Sequence, residues 1–219
     1  MPEHLCNKWS KTIGSKVLDG IGSTEMLHIF ISNYIDLITP GSSGKPVPGY
    51  EVRLMKEDNS EADTNEIGEL EVKGPTSAIP YWNKPAKTEA TFIGDWVKTG
   101  DKYTKDANGI YKYCGRSDDM MKVSGQYVSP FEIEEALQSH KYVLEAAVVG
   151  KKDKDELLKP KAFVVLNDQK NETNLEKELT EHVKKILTPF KYPRWYEFVS
   201  SLPKTATGKI QRYKLRIEK

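Results

Sequence analysis

Cysteine is scarce in this chain: its 219 residues contain two, Cys6 and Cys114, far apart and in no CxxC spacing. Two such residues cannot define a disulfide framework, and they favour a reduced, intracellular setting. Long apolar runs are also lacking. The longest, "MLHIFIS" and "AAVV", are far too short to cross a bilayer. No secretory leader is visible, because "MPEHLCNKWSK" is polar and amphipathic rather than charged and then apolar. Nor is there an excess of either charge: 33 Lys and Arg face 32 Asp and Glu, for a formal net charge of +1. A balance this even gives no global argument for a nucleic-acid or membrane partner. Together these absences predict a cytoplasmic protein. Internal repeats and low-complexity segments are absent as well.

With 37% hydrophobic and 30% charged residues, the chain can build a core under a highly polar surface. Its length suits one large domain or two ordinary ones. Residues 2–12 predict a short helix with Leu5 and Trp9 on one side. "KVLDG" predicts a short strand ending in a turn, and "MLHIFIS" a core strand. From Gly41 to Lys112 short runs such as "YEVRLM", "GELEVKG", "WVKTGDKY" and "GIYKYCG" recur about every ten residues between Gly, Pro, Asn and Asp clusters. That texture predicts a small antiparallel β unit, and "DANG" predicts a hairpin turn with Gly109 at positive φ. After "YCGRSDD" the texture changes again. Ser129, Pro130 and Glu132 form a capping box that marks a helix start. "VLEAAVVG" and "KAFVVL" predict strands. "NLEKELTEHVKKILTPF" predicts a helix capped at Asn174, apolar at Leu175, Leu179, Val183 and Ile186, and stopped by Pro189. Two folding units follow, with a boundary near residues 115–119.

Four short stretches could carry chemistry, and each has a plainer alternative. "PKTATGK" is not a Walker loop, since Pro203 stands at the first glycine's place and Ile210 replaces the hydroxyl residue. It still leaves Lys209 free to reach outward, or else it is a solvated basic tail. "DGIGSTE" lacks the third glycine of a dinucleotide fingerprint, because Glu25 occupies that place. It offers backbone N–H groups, the hydroxyls of Ser23 and Thr24, and the Glu25 carboxylate, a set suited to phosphate and its magnesium. The alternative is a helix N-cap. "WVKTGD" sets Asp101 after a glycine turn, where a carboxylate can accept from a ribose diol or simply close the turn. "YCGRSDDMMKVSGQYVSPFEIE" combines Arg116, the pair Asp118 and Asp119, and a glycine, which suits either a hinge or a solvated linker.

Taken in order, GSTE, TGD, GR-SDD-MKVSG and PKT-TGK resemble the adenylate-forming superfamily of acyl-CoA synthetases, peptide-synthetase adenylation domains and luciferases. The resemblance runs through essentially the whole chain. The wording "LDGIGSTEMLHIFISN" is similar to the benzoate and hydroxybenzoate CoA ligase branch. It implies an α/β (α+β) fold. Residues 1–116 would be the C-terminal part of the large AMP-binding domain, including a β-barrel-like subdomain, and residues 117–219 a small mobile lid. The implied activity is ATP-dependent activation of a carboxylic acid, aromatic and benzoate-like, through an acyl-adenylate that is then transferred to coenzyme A.

The resemblance also implies roles. Thr24 would contact the AMP phosphate and Glu25 would help hold Mg2+. Asp19, Gly20, Ile21, Gly22 and Ser23 would lie at the nucleotide, Asp101 would bind the ribose hydroxyls, and Arg116 would approach ribose or phosphate. Asp118 matches the hinge, Ser124 and Gly125 the coenzyme A tunnel, and Lys209 the catalytic lysine of adenylation. Gly22 and His28 would line the acyl pocket, with a buried helical histidine as the alternative for His28. No phosphate loop of the "TSGTTGxPK" kind occurs, and the family's enzymes are more than twice as long. The chain is therefore expected to be the C-terminal portion of a ligase, inactive alone, with the missing N-terminal part as partner and apolar surface left bare. Two other classes stay open: a non-catalytic AMP-binding or regulatory module, and an adenylation domain that loads a carrier protein.

Overall fold

The short β-branched runs become antiparallel strands; Gly20, Gly22, Gly44 and Gly68 mark close backbone approaches, whereas the turn glycines Gly49, Gly94 and Gly109 stand in open space. A computed structural model describes residues 1–167 and 174–216. The chain forms two compact units, Met1–Ser117 and Asp118–Lys219. In chain order the first contains α1 (Glu3–Ile13), β1 (Gly20–Ser23), a 3-10 turn (Thr24–Met26), β2 (His28–Ser32), β3 (Lys45–Pro46), β4 (Glu51–Met55) and β5 (Gly68–Lys73). It continues with α2 (Pro85–Thr91), β6 (Phe92–Ile93), β7 (Trp96–Lys105) and β8 (Tyr111–Arg116). The strands β1, β2 and β3 make one sheet, and β4, β5, β7 and β6 another to which β8 adds by pairing with β7. Every one of these pairings is antiparallel.

Several expectations change here. "KVLDG" is not a strand; regular pairing begins at Gly20. The reason is steric, because β1 and β2 approach so closely that a Cβ at Gly20 would lie 2.7 Å from Ile31 O and one at Gly22 2.5 Å from His28 O. Only the glycine-bearing segment can pair there, and a bulge between Ile21 and Gly22 completes the fit. β2 finds both its partners, β1 and β3, inside this chain. Met26, Phe30 and Ile31 enter the core with Leu54, Leu70, Val72, Val97, Tyr103 and Tyr111, while Leu27 and Ile29 face outward. α1 buries Cys6, and its expected apolar side, Leu5 and Trp9, is exposed.

The second unit contains β9 (Met121–Val123), β10 (Gln126–Val128), α3 (Pro130–Gln138), β11 (Val143–Lys152), β12 (Leu158–Leu166), α4 (Leu175–Ile186), a 3-10 turn (Pro189–Lys191), β13 (Trp195–Phe198) and α5 (Arg212–Leu215). β11 pairs antiparallel with β12, and β13 lies parallel to β12 on its other side. Along β11 and β12 the side chains alternate between two cores. Ala146, Val148, Ala162 and Val164 pack with α3 and α4, whereas Ala147, Val149, Phe163 and Val165 pack with Leu202, Ile210 and Leu215 of the C-terminal tail. Ser129 caps α3 as expected, its Oγ accepting from Glu132 N at 3.2 Å. The Glu132 carboxylate pairs with Lys191 Nζ at 2.6 Å. Asn174 precedes α4 in the left-handed region and gives no side-chain cap, and Ile186 is exposed. Among the described residues no helix is long and apolar enough to cross a membrane.

Leu179 is fully buried between α4 and the sheet, and Leu144 is 61% exposed. Leu179→Ala should cost the second unit about 2–5 kcal/mol, and Leu144→Ala less than about 0.5 kcal/mol. Urea unfolding of that unit's transition checks both, and equal losses would contradict this packing.

Candidate active site

The "DGIGSTE" segment, after Asp19, is more than the tight turn its glycines suggest. It is strand β1 followed by the 3-10 turn, and Ser23, though it precedes that turn, gives no capping hydrogen bond. Asp19 Oδ1 accepts from Gly20 N at 2.9 Å, Ile21 packs on the core, and Thr24 is exposed at the start of the turn. Burial raises the Glu25 carboxyl, but opposing contacts outweigh it. The Tyr81 hydroxyl donates to Oε1 at 2.5 Å, and with a backbone N–H, Ser23 and Lys87 it holds Glu25 below the ordinary 4.5. Ser23 Oγ is shielded from solvent and finds no hydrogen-bond partner of ordinary geometry among the described residues; lying beside the carboxylate, it still adds to the lowering. Tyr81 belongs to a segment tied to this turn a second time, by Ala78 N donating to Glu25 O at 2.7 Å. His28 is exposed on strand β2, not buried in a helix, and its ring stacks on Tyr50.

Asp101 sits inside β7, where Gly100 at φ +74° kinks the strand, rather than on a turn. It pairs in register with Arg116 of β8. Arg116 Nη1 donates to Thr99 O at 3.0 Å and lies 3.4 Å from Asp101 Oδ1. Gly100 makes that possible, since a Cβ there would stand 2.7 Å from Arg116 Nη2. Burial raises the Asp101 carboxyl, Arg116 lowers it, and the nearby Glu69 raises it again, so it ends above the ordinary 3.8. Glu69 is itself buried, accepting from Ser117 Oγ at 2.6 Å and pairing with Lys102 at 3.3 Å.

The remaining candidates belong to the second unit. Asp118 is its exposed first residue. Ser124 and Gly125, at φ 51° and 81°, are the two-residue loop between β9 and β10, since Val123 pairs with Gln126; both positive angles mark a type I′ turn. Lys209 lies in a small hairpin closed by the Lys204–Ile210 bridge. Thr205 N donates to Lys209 O at 2.9 Å, and Lys209 N donates to Thr205 Oγ1 at 3.1 Å. Thus the Lys209 backbone is pinned while its side chain is exposed, with no ion-pair partner among the described residues. Sequence inspection missed Tyr81, Glu69, Glu134 and Arg212. Glu134, buried on α3, takes Arg212 in a fork at 3.1 and 2.7 Å and Val148 N at 2.8 Å.

Residues 1–82 match the AMP-binding enzyme family, and residues 132–209 match the AMP-binding enzyme C-terminal domain. The chain belongs to the AMP-binding enzyme family. Benzoate–CoA ligase of Thauera aromatica is 57% identical over 218 residues, which is 99% of this chain and 41% of that protein. The crystal structure of a benzoate CoA ligase from Burkholderia xenovorans LB400 is 50% identical with a TM-score of 0.92, over 99% of this chain and 44% of that one. The anthranilate CoA ligase AuaEII in complex with anthranoyl-AMP is 48% identical with a TM-score of 0.93, over 98% and 41%. This chain therefore spans less than half the length of the relatives it matches.

An AMP-binding enzyme needs donors and acceptors for phosphate, ribose and Mg2+. Among the described residues no group of three or more His, Cys, Asp or Glu could cage a metal. A single ionised carboxylate is nonetheless what Mg2+ takes when phosphates and waters complete its shell, and Glu25 fits that demand. The two carboxyls respond to pH in opposite directions. Glu25, lowered by folding, contributes stability that is present above its unfolded value of 4.5 and lost as pH falls through its folded value. Asp101, raised by folding, contributes stability that is present below 3.8 and lost as pH rises through its folded value. In a carboxyl-carbon NMR titration, Tyr81→Phe should move Glu25 up, and Arg116→Gln should move Asp101 further up. No movement in either would show that these contacts do not set the charges.

Proposed function

We propose that this chain supplies the C-terminal share of an ATP-dependent aromatic acid–CoA ligase, part of the nucleotide site together with the mobile lid. The observation that carries this is the 57% identity to a benzoate–CoA ligase along 218 residues, across both units and all four motifs. In the first half-reaction a carboxylate oxygen attacks the α-phosphorus of ATP, the P–O bond to the β-phosphate breaks, and pyrophosphate leaves. In the second, the thiol sulfur of coenzyme A attacks the acyl carbon, the C–O bond breaks, AMP leaves, and the thiol proton passes to solvent.

In this proposal Asp19 to Ser23 border the nucleotide, Thr24 contacts its phosphate, Asp101 accepts from the ribose diol, and Arg116 orients that carboxylate and approaches the sugar. Glu25 would hold Mg2+, which neutralises phosphate charge when bound. Lys209 bridges substrate carboxylate and α-phosphate oxygens, offsetting their repulsion as charge develops. Asp118 is the pivot, the exposed Ser124–Gly125 turn borders the pantetheine path, and Gly22 and His28 edge the acyl pocket. The preceding part of the ligase is the proposed partner. Bare apolar side chains on the first unit support it, among them Trp9, Leu18, Ile35 and Trp82, the last 93% exposed. Two cysteines far apart in the sequence support a cytoplasmic setting.

Alone, the chain should catalyse no benzoate-dependent ATP–pyrophosphate exchange. Fused behind the preceding part of the Thauera aromatica ligase it should do so, and Lys209→Ala should lower that exchange at least about 100-fold. Exchange by the isolated chain, or none by the fusion, would overturn the assignment.

A further inference from the structure

Lys209 stands three residues before Arg212, the first residue of α5. The Arg212 guanidinium is largely buried and engaged on three sides. Nε and Nη2 fork onto the two oxygens of Glu134, and Nη1 reaches Asp119 Oδ2 at 3.2 Å. Glu134 is 4% exposed, and its remaining contact is the N–H of Val148 in β11. The other oxygen of Asp119 takes Arg216 Nη2, which also donates to the Asp118 carbonyl at 3.3 Å. Among the described residues, Glu134, Asp119, Arg212 and Arg216 thus form a cluster that fastens the opening residues of the second unit, α3 and the C-terminal tail to one another. This cluster is not what closes the Lys209 hairpin, because the hairpin closes on its own Thr205, Gly208 and Lys209 backbone bonds. Nor is it what keeps the tail on the sheet, since Leu202, Ile210 and Leu215 already do so through apolar contact. What it adds is direction, because a planar guanidinium forked onto a carboxylate tolerates one orientation.

We propose that Arg212 is a positioning residue for Lys209. With Glu134 and Asp119 it joins the hinge segment and the Lys209 hairpin into one rigid piece, so that a turn at Asp118 is delivered to Lys209 without slack. The proposal rests on Lys209 as the adenylation lysine and Asp118 as the pivot. It places no demand on the thioester half-reaction, in which the proposed function gives Lys209 no part.

The fusion described above separates the possibilities. Arg212→Gln should lower ATP–pyrophosphate exchange about 100-fold, the size of effect that a displacement near 1 Å produces. Thioester formation from preformed benzoyl-adenylate should fall by less than about 3-fold, because a group acting only in the first step leaves the second intact. Arg212→Lys should resemble Arg212→Gln, since an ammonium keeps the charge but cannot fork. Equal losses in both half-reactions, or full activity of Arg212→Lys, would each overturn the proposal. Should Arg212→Gln fail to fold, Arg216→Gln removes the more exposed arm of the cluster. It should lower exchange about 5-fold, a modest loss of orientation, with thioester formation intact; no difference between the two steps would overturn the proposal. If Lys209→Ala kept its exchange, the adenylation role itself would fall and the positioning role with it. An inactive Lys209→Ala beside a fully active Arg212→Gln would remove the positioning role alone.

Discussion

The second unit depends on one constraint, the burial of both faces of the β11–β12 pair. Val148 and Val164 point one way and Val149 and Phe163 the other, and all four are buried. A strand pair apolar on both faces must be covered twice. Two amphipathic helices, α3 and α4, cover one face. Against the other the C-terminal tail lays Leu202, Ile210 and Leu215, beside Val199. That requirement brings the "PKTATGK" hairpin to a defined place. Lys209 is exposed not because the tail is loose but because the apolar residues on either side of it, Leu202 and Ile210, face inward.

The first unit obeys a different constraint, the closeness of backbones at glycine. β1 reaches β2 only through Gly20 and Gly22, and the Arg116 guanidinium lies over the Asp101 strand only because residue 100 has no side chain. Glu25 follows the pinched strand and is held ionised by Tyr81, whereas Asp101, at the kink, is buried enough to sit above its ordinary range despite Arg116. The two acids thus shift in opposite directions for different reasons, hydrogen bonding to the charged form at Glu25 and desolvation at Asp101.

Local features were legible in the sequence. The start of α3 could be read from Ser129, Pro130 and Glu132, the β7–β8 hairpin from "DANG", and the strands β11 and β12 from "VLEAAVVG" and "KAFVVL", because each depends on residues close together in the chain. The Glu25–Tyr81 bond spans 56 residues and the Glu134–Arg212 fork 78. Nothing in the spacing of charged residues distinguishes these pairs from the many solvated acids and bases around them. β1 was misplaced for a related reason. Apolar "KVL" has the better strand propensity, but pairing was decided by where β2 could approach, which is a property of the partner. β13 went unseen because its four residues become a strand only beside β12.

The polar cluster around Arg212 is the least economical part of the molecule, and for that reason it is informative. Taking a carboxylate and a guanidinium out of water offsets most of their attraction, so well-packed apolar residues would serve stability equally well. Burial pushes the Glu134 carboxyl upward even with Arg212 upon it, which shows that desolvation is not fully repaid there. Stability therefore does not account for an ion pair at this position, where Leu202, Ile210 and Leu215 already hold the tail. Apolar contacts, however, fix distance far better than angle, and a tail held by them and by the Lys204–Glu145 ion pair could still slide or roll on the sheet. A forked guanidinium allows neither. It lies three residues from Lys209 and touches Asp119, so the orientation it imposes is passed directly to the hairpin that carries the exposed lysine.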